Sequence, residues 1–218
     1  MKLELARSAG FCYGVRRAVE MAEQAARSGC RCVMLGPVIH NGSVIERLKA
    51  QGVALAETPE QVPEGAAVII RSHGEGRPVH QALAARGCRV IDATCPNVAR
   101  IHHLVARAEA EGRQVLIIGM RAHPEVQAIA GWCGHPVVLE GAQELEQWLQ
   151  EGPERKSLPL TMVSQTTSTQ MIWDLSVEKA KKQCTNLKIF DTICNATYKR
   201  QSEAQALAAR CGAMIVIG

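Results

Sequence analysis

The sequence has no long apolar run, no basic tract and few aromatic residues. Its longest apolar runs are five to eight residues, far short of the roughly 20 that span a bilayer, so no membrane association is expected. The net charge of +4 is spread along 218 residues, with no run of Lys and Arg resembling a nucleic-acid-binding arm. Seven aromatic residues leave little surface on which bases could stack, so nucleic acid is not an expected partner. The opening "MKLELARSAG" lacks the apolar core of a secretory signal and reads as a first strand. The expected location is the cytoplasm. Low-complexity segments are absent too, and "QEGPERKSLP" (150–159) reads as a polar loop within an α/β unit.

What is present is a chain that is 47% hydrophobic, long enough to bury a core in one or two domains. It has nine cysteines. An odd number in a chain of ordinary globular size does not suggest a disulfide framework, and most should be small buried hydrophobes.

Short runs of Val, Ile and Leu alternate with helical patterns. Strands are expected at 2–6, 32–36, 53–56, 67–72, 89–94, 114–119, 136–140, 159–164, 187–193 and 213–217. Helices are expected near 14–28, 42–51, 77–87, 97–112, 124–132, 141–150, 168–183 and 196–211. This alternation predicts an α/β fold with parallel sheets covered by helices.

The residues that follow the strands point to chemistry. The predicted strand ends carry His40, His73, Cys95, His123 with Glu125, Thr166 with Thr167, and Cys194. Ligands of open parallel sheets bind outside the carboxyl ends of the strands. The phrase "RVIDATCPNVAR" (89–100) returns as "KIFDTICNATYKR" (188–200), each with Asp-x-x-Cys before a basic helix. "GFCYGVRRAVE" is a third, looser version around Cys12. Three strand–Cys–helix units suggest a threefold internal repeat.

A helix N-terminus favours a thiolate, and Cys12, Cys95 and Cys194 are all expected at one. Three such thiolates could converge to hold a metal cluster. Their spacings of 83 and 99 residues match no zinc ribbon and no ferredoxin-type run, so spacing alone leaves a structural role open. Cys30, Cys32, Cys88, Cys133, Cys184 and Cys211 read as structural. His40, His73 and His123 each stand beside a turn or helix-start residue (Asn41, Gly74, Pro124), where imidazoles and free N–H groups can hold phosphate oxygens. His80, His102, His103 and His135 have no such pattern and read as surface or packing residues. Glu125 is a candidate proton donor or simply a first-turn carboxylate. Thr166 and Thr167 either cap the next helix or position a substrate. Arg71 and Asp92 read as supporting residues.

Taken in order, "GFCYGV", "GPVIHN", "RSHGE", "DATCP", "HPEV", "SQTT" and "ICNAT..RQ" resemble the 4-hydroxy-3-methylbut-2-enyl diphosphate reductases, the IspH/LytB family, from residue 10 to about residue 201. The resemblance implies three pseudo-repeated α/β modules in a trefoil around a central cluster: residues 1–95, 96–193 and the start of a third, 194–218. It implies a 4Fe–4S cluster on Cys12, Cys95 and Cys194. It places the substrate against His40, His73 and His123, with Asn41, Thr166 and Thr167 beside them. Glu125, with His123 and Thr166, would deliver protons. The implied reaction removes the hydroxyl of an allylic diphosphate with two electrons and two protons, giving isopentenyl and dimethylallyl diphosphate. Reduced ferredoxin or flavodoxin would be the donor.

The sequence departs from the family pattern at Ala128, where glycine is usual. It also stops at "AMIVIG", where the family continues with a Ser-Asn phosphate-binding motif, so the third module is expected to be incomplete. Two alternatives stay open at this level: a zinc hydrolase of a phosphorylated substrate, and a non-catalytic cluster- or diphosphate-binding fragment.

Overall fold

The computed structural model describes residues 3–217. Strands β1 (Cys32–Leu35), β2 (Ala54–Ala56), β3 (Ala67–Ile70) and β4 (Arg89–Asp92) form one parallel sheet in the order β2-β1-β3-β4. Strands β5 (Gln114–Ile118), β6 (Val137–Leu139), β7 (Leu160–Ser164) and β8 (Leu187–Ile189) form a second, in the order β6-β5-β7-β8. The same order recurs because each half repeats the same crossovers. Every connection passes through a helix or loop, as parallel pairing requires.

Helices cover both faces of each sheet. Alternation along β1 sends Cys32 and Met34 to one face, where they pack with Ala18 and Ala22 of α1 (Tyr13–Arg27) and Val44 and Leu48 of α2 (Gly42–Ala50). Val33 and Leu35 point the other way, toward Leu83 of α3 (Arg77–Ala85). In the second sheet, Val115 and Ile117 meet α4 (Pro96–Ala110) and α5 (Pro124–Ala130). Leu116 and Ile118 meet α6 (Ala142–Glu151) and α7 (Gln170–Gln183). Burial on two faces explains why β1 and β3 are apolar throughout rather than alternating. The last helix is α8 (Asn195–Ala208).

Two expected strands are absent. Residues 3–6 and 213–217 belong to no strand and pair with nothing in a sheet, and Leu3, Leu5, Ile215, Val216 and Ile217 are exposed; Lys2 of the first lies outside the described residues. A β pattern in the sequence makes a strand only where a neighbour takes up its backbone groups, and among the described residues no third sheet provides one. Instead the amides of Arg7 and Ser8 donate to Glu203 of α8 at 2.7 and 2.8 Å. No described helix is long and apolar enough to cross a membrane.

Candidate active site

Helix starts and strand ends converge at the carboxyl edges of the two sheets. His40 follows the β1 loop, and Asn41 caps α2 by accepting from the Val44 amide at 3.1 Å. His73 lies in the loop after β3. His123 is the residue before α5, and its Nδ1 accepts from the Glu125 amide at 3.1 Å. That bond fixes the His123 tautomer, leaving Nε2–H as the outward donor. The three imidazoles form a chain: His40 and His73 are 4.8 Å apart between ring centroids, His73 and His123 5.7 Å. The first two come from the first sheet and the third from the second.

Burial, with His40, His123 and Arg71 nearby, pushes the His73 pKa down to about 4. Burial and His40 lower that of His123 as well. His73 is therefore neutral at pH 7, and its buried Nδ1 has no hydrogen-bond partner. An unsatisfied buried nitrogen is costly, and an anionic ligand would relieve the cost. Behind it, Arg71 and Glu75 form an ion pair at 2.7 Å.

Glu125 is 2% exposed. Its two oxygens accept from the Thr166 amide and the Thr166 hydroxyl, both at 2.6 Å. Burial raises its pKa, and the Thr166 bonds pull it partly back. A carboxyl so placed holds its proton to a higher pH than usual and has one hydroxyl through which to pass it. Neither Thr166 nor Thr167 caps the next helix: Thr169 does, accepting from the Ile172 amide. Thr167 is exposed and accepts from Gln165 Nε2 at 2.6 Å. Gln165 Oε1 in turn accepts from the Met120 amide. Gln165 thus pins the β5 and β7 loops together, a role hidden inside "SQTT" because Met120 is 45 residues away in sequence.

Cys12, Cys95 and Cys194 stand at the N-termini of α1, α4 and α8. The Cys95 amide donates to Ser72 O and the Cys194 amide to Thr166 O, both at 2.9 Å. All nine cysteines are free thiols.

The expected 4Fe–4S cluster is not upheld. Among the described residues, no group of three or more His, Cys, Asp or Glu side chains is placed to hold a metal ion. The local chemistry runs the same way. Burial raises the Cys95 pKa, hydrogen bonds from the Asn97 and Val98 amides pull it partly back, and Cys12 and Cys194 raise it, whereas a ligand must be a thiolate. Cys194 Sγ accepts from Asn97 Nδ2 at 3.2 Å, and Cys95 Sγ packs on Gly14.

A profile of the family described as LytB protein matches residues 3–218. The 4-hydroxy-3-methylbut-2-enyl diphosphate reductase of Caldanaerobacter subterraneus subsp. tengcongensis is 36% identical over 226 residues, covering all of this chain and 75% of that protein. The enzyme of the same name from Geobacter sulfurreducens is 38% identical over 218 residues, again covering 75% of its length. A solved (E)-4-hydroxy-3-methyl-but-2-enyl diphosphate reductase superposes with a TM-score of 0.78 at 36% identity, over 93% of this chain and 72% of the other. The E-1-hydroxy-2-methyl-but-2-enyl-4-diphosphate reductase of Plasmodium falciparum gives a TM-score of 0.83 at 27% identity, over 93% and 64%. With residues 3–218 matched by the family profile and 93% of the chain matched in structure, this chain belongs to the LytB family, a family of reductases.

Proposed function

We propose that this protein reduces 4-hydroxy-3-methylbut-2-enyl diphosphate, removing its hydroxyl as water and yielding isopentenyl and dimethylallyl diphosphate. The C–O bond breaks, two electrons enter from a reduced ferredoxin or flavodoxin, and two protons are taken up. One proton leaves with the hydroxyl as water and the other ends on carbon. His40, His73 and His123 hold the diphosphate by N–H donation, with Asn41 and Thr167 at the margin. Glu125 supplies protons through the Thr166 hydroxyl, and the neighbouring His123 lies toward the hydroxyl end of the substrate.

The observation that carries this reading is the buried Glu125 carboxyl, bonded to Thr166 at 2.6 Å and joined through the Glu125 amide to the row of three imidazoles. A proton source and an anion site of this kind suit a reaction that protonates one end of a diphosphate ester. Anaerobic turnover with a reduced low-potential donor tests the proposal: both isopentenyl and dimethylallyl diphosphate should appear. Substrate binding with no dehydroxylated product would overturn it.

A further inference from the structure

The three imidazoles span two sheets, so their spacing depends on how the halves are joined. The loop carrying His73 meets the second half at three successive residues. Gly74, at φ +76°, lies on His102 of α4: a Cβ there would come within 2.5 Å of His102 Cε1. The Glu75 carbonyl accepts from Trp132 Nε1 at 3.0 Å. Gly76 abuts Gly131 so closely that a Cβ on either would sit 2.9 or 2.7 Å from the other's Cα. The Arg77 amide then donates to Gly131 O at 3.1 Å.

The gripping side is equally well made. Trp132 stacks on His102 with ring centroids 5.2 Å apart and planes 19° apart, and the Arg77 guanidinium lies 5.5 Å from the Trp132 ring centroid. His102 is 4% exposed, and its Nε2 has no partner. Such a polar atom is retained at a cost.

Helix α5 connects this joint to the site. His123 and Glu125 lie at its N-terminal end, Gly131 and Trp132 at its C-terminal end. Seven residues of α-helix are about 10 Å long and move as one body. We infer that the Gly76–Gly131 contact and the Trp132–His102 stack set the distance between His73 and His123, making Gly131, Trp132 and His102 positioning residues for the diphosphate site. This inference rests on the proposed function for its ligand but not for its geometry.

The test uses the full chain carrying Gly131→Ala or Trp132→Phe, with Gly212→Ala as a control, since a Cβ at Gly212 meets nothing within 4 Å. Inorganic pyrophosphate affinity and the through-space NMR contact between the His73 and His123 rings are both read. Gly131→Ala should lose the ring contact and bind pyrophosphate about tenfold more weakly, since sub-ångström misplacement is enough for a loss of this order. Trp132→Phe keeps an aromatic ring beside His102 while losing the N–H and part of the stacked area, and should show a smaller change of the same sign. If Gly131→Ala does not fold, Trp132→Phe decides. Folded variants that keep both the ring contact and wild-type affinity overturn the inference. If the wild type binds no pyrophosphate but the variants still lose the ring contact, the joint stands and the diphosphate reading falls.

Discussion

His102 should make the protein acid-labile, and the size of the effect can be worked out. Burial, reinforced by His80 and His103 and opposed by Asp92, takes its pKa from 6.5 down to about 4. The folded state therefore holds this proton more weakly than the unfolded chain does. The associated stability is complete above pH 6.5 and is lost as pH falls toward 4. Between pH 8 and pH 5 the loss from this one residue is about 2 kcal/mol. For a chain of this size that is roughly 1 M in urea midpoint. His102→Gln cannot titrate, so whatever it costs at pH 8 through the lost stack on Trp132, it should lose about 2 kcal/mol less than wild type on going to pH 5. Urea unfolding of both proteins at both pH values measures this double difference, in which titrating groups that do not interact with His102 cancel. Equal losses in the two proteins would show that His102 is not held neutral by burial.

His73 should behave differently, because its buried Nδ1 has no partner within the fold and the proposed diphosphate site would supply one. An anion bound there raises the depressed pKa, so pyrophosphate binding near pH 6 should take up protons; calorimetry in two buffers of different ionisation enthalpy checks this, and no net uptake would count against the site. Glu125→Gln should lower kcat on the order of 100-fold with little change in substrate affinity, measured by turnover and binding side by side. Thr166→Val removes the hydroxyl bond that lowers the Glu125 pKa; the alkaline limb of the pH–rate profile should move to higher pH, and an unmoved limb would detach Glu125 from the rate. Asn41→Ala should cost about 1 kcal/mol at the α2 N-terminus, read by thermal or urea unfolding.

What the sequence made legible was the part set by short-range physics. Eight helices and eight strands lie where the apolar periodicities put them, and His123, Cys95 and Cys194 stand at helix starts as their neighbours Pro124, Pro96 and Asn195 suggest. The segments at 3–6 and 213–217 have strand composition, but a strand depends on a partner that composition does not specify. The Glu125–Thr166 bond joins residues 41 apart, and Gly76 meets Gly131 only because two sheets dock. Neither pairing leaves a local mark. Glu75 and Trp132 were missed for the same reason. The metal expectation failed for a related reason: a motif fixes which residue opens a helix, not where its sulfur points or what else it bonds.

The recurring Asp-x-x-Cys phrase shows how far a local device can reach. Asp92 Oδ1 accepts from the Thr94 amide at 2.9 Å, and Asp191 Oδ1 from the Ile193 amide at 3.1 Å. Each aspartate thus turns the chain off its strand two residues on, as Asx turns do. The next cysteine is then tied by its amide to the loop of the neighbouring strand, at Ser72 or Thr166. The phrase around Cys12 has no aspartate at the matching position, where Ala9 stands, and among the described residues no strand precedes it. Repetition of the aspartate therefore marks where a strand hands over to a helix beside the site. In both cases the tie ends next to a residue on which the proposed chemistry depends: Ser72 precedes His73, and Thr166 is itself the partner of Glu125. The two halves use one turn to hold two different groups, which in the proposed function are an imidazole for the anion in the first and a hydroxyl for the proton in the second.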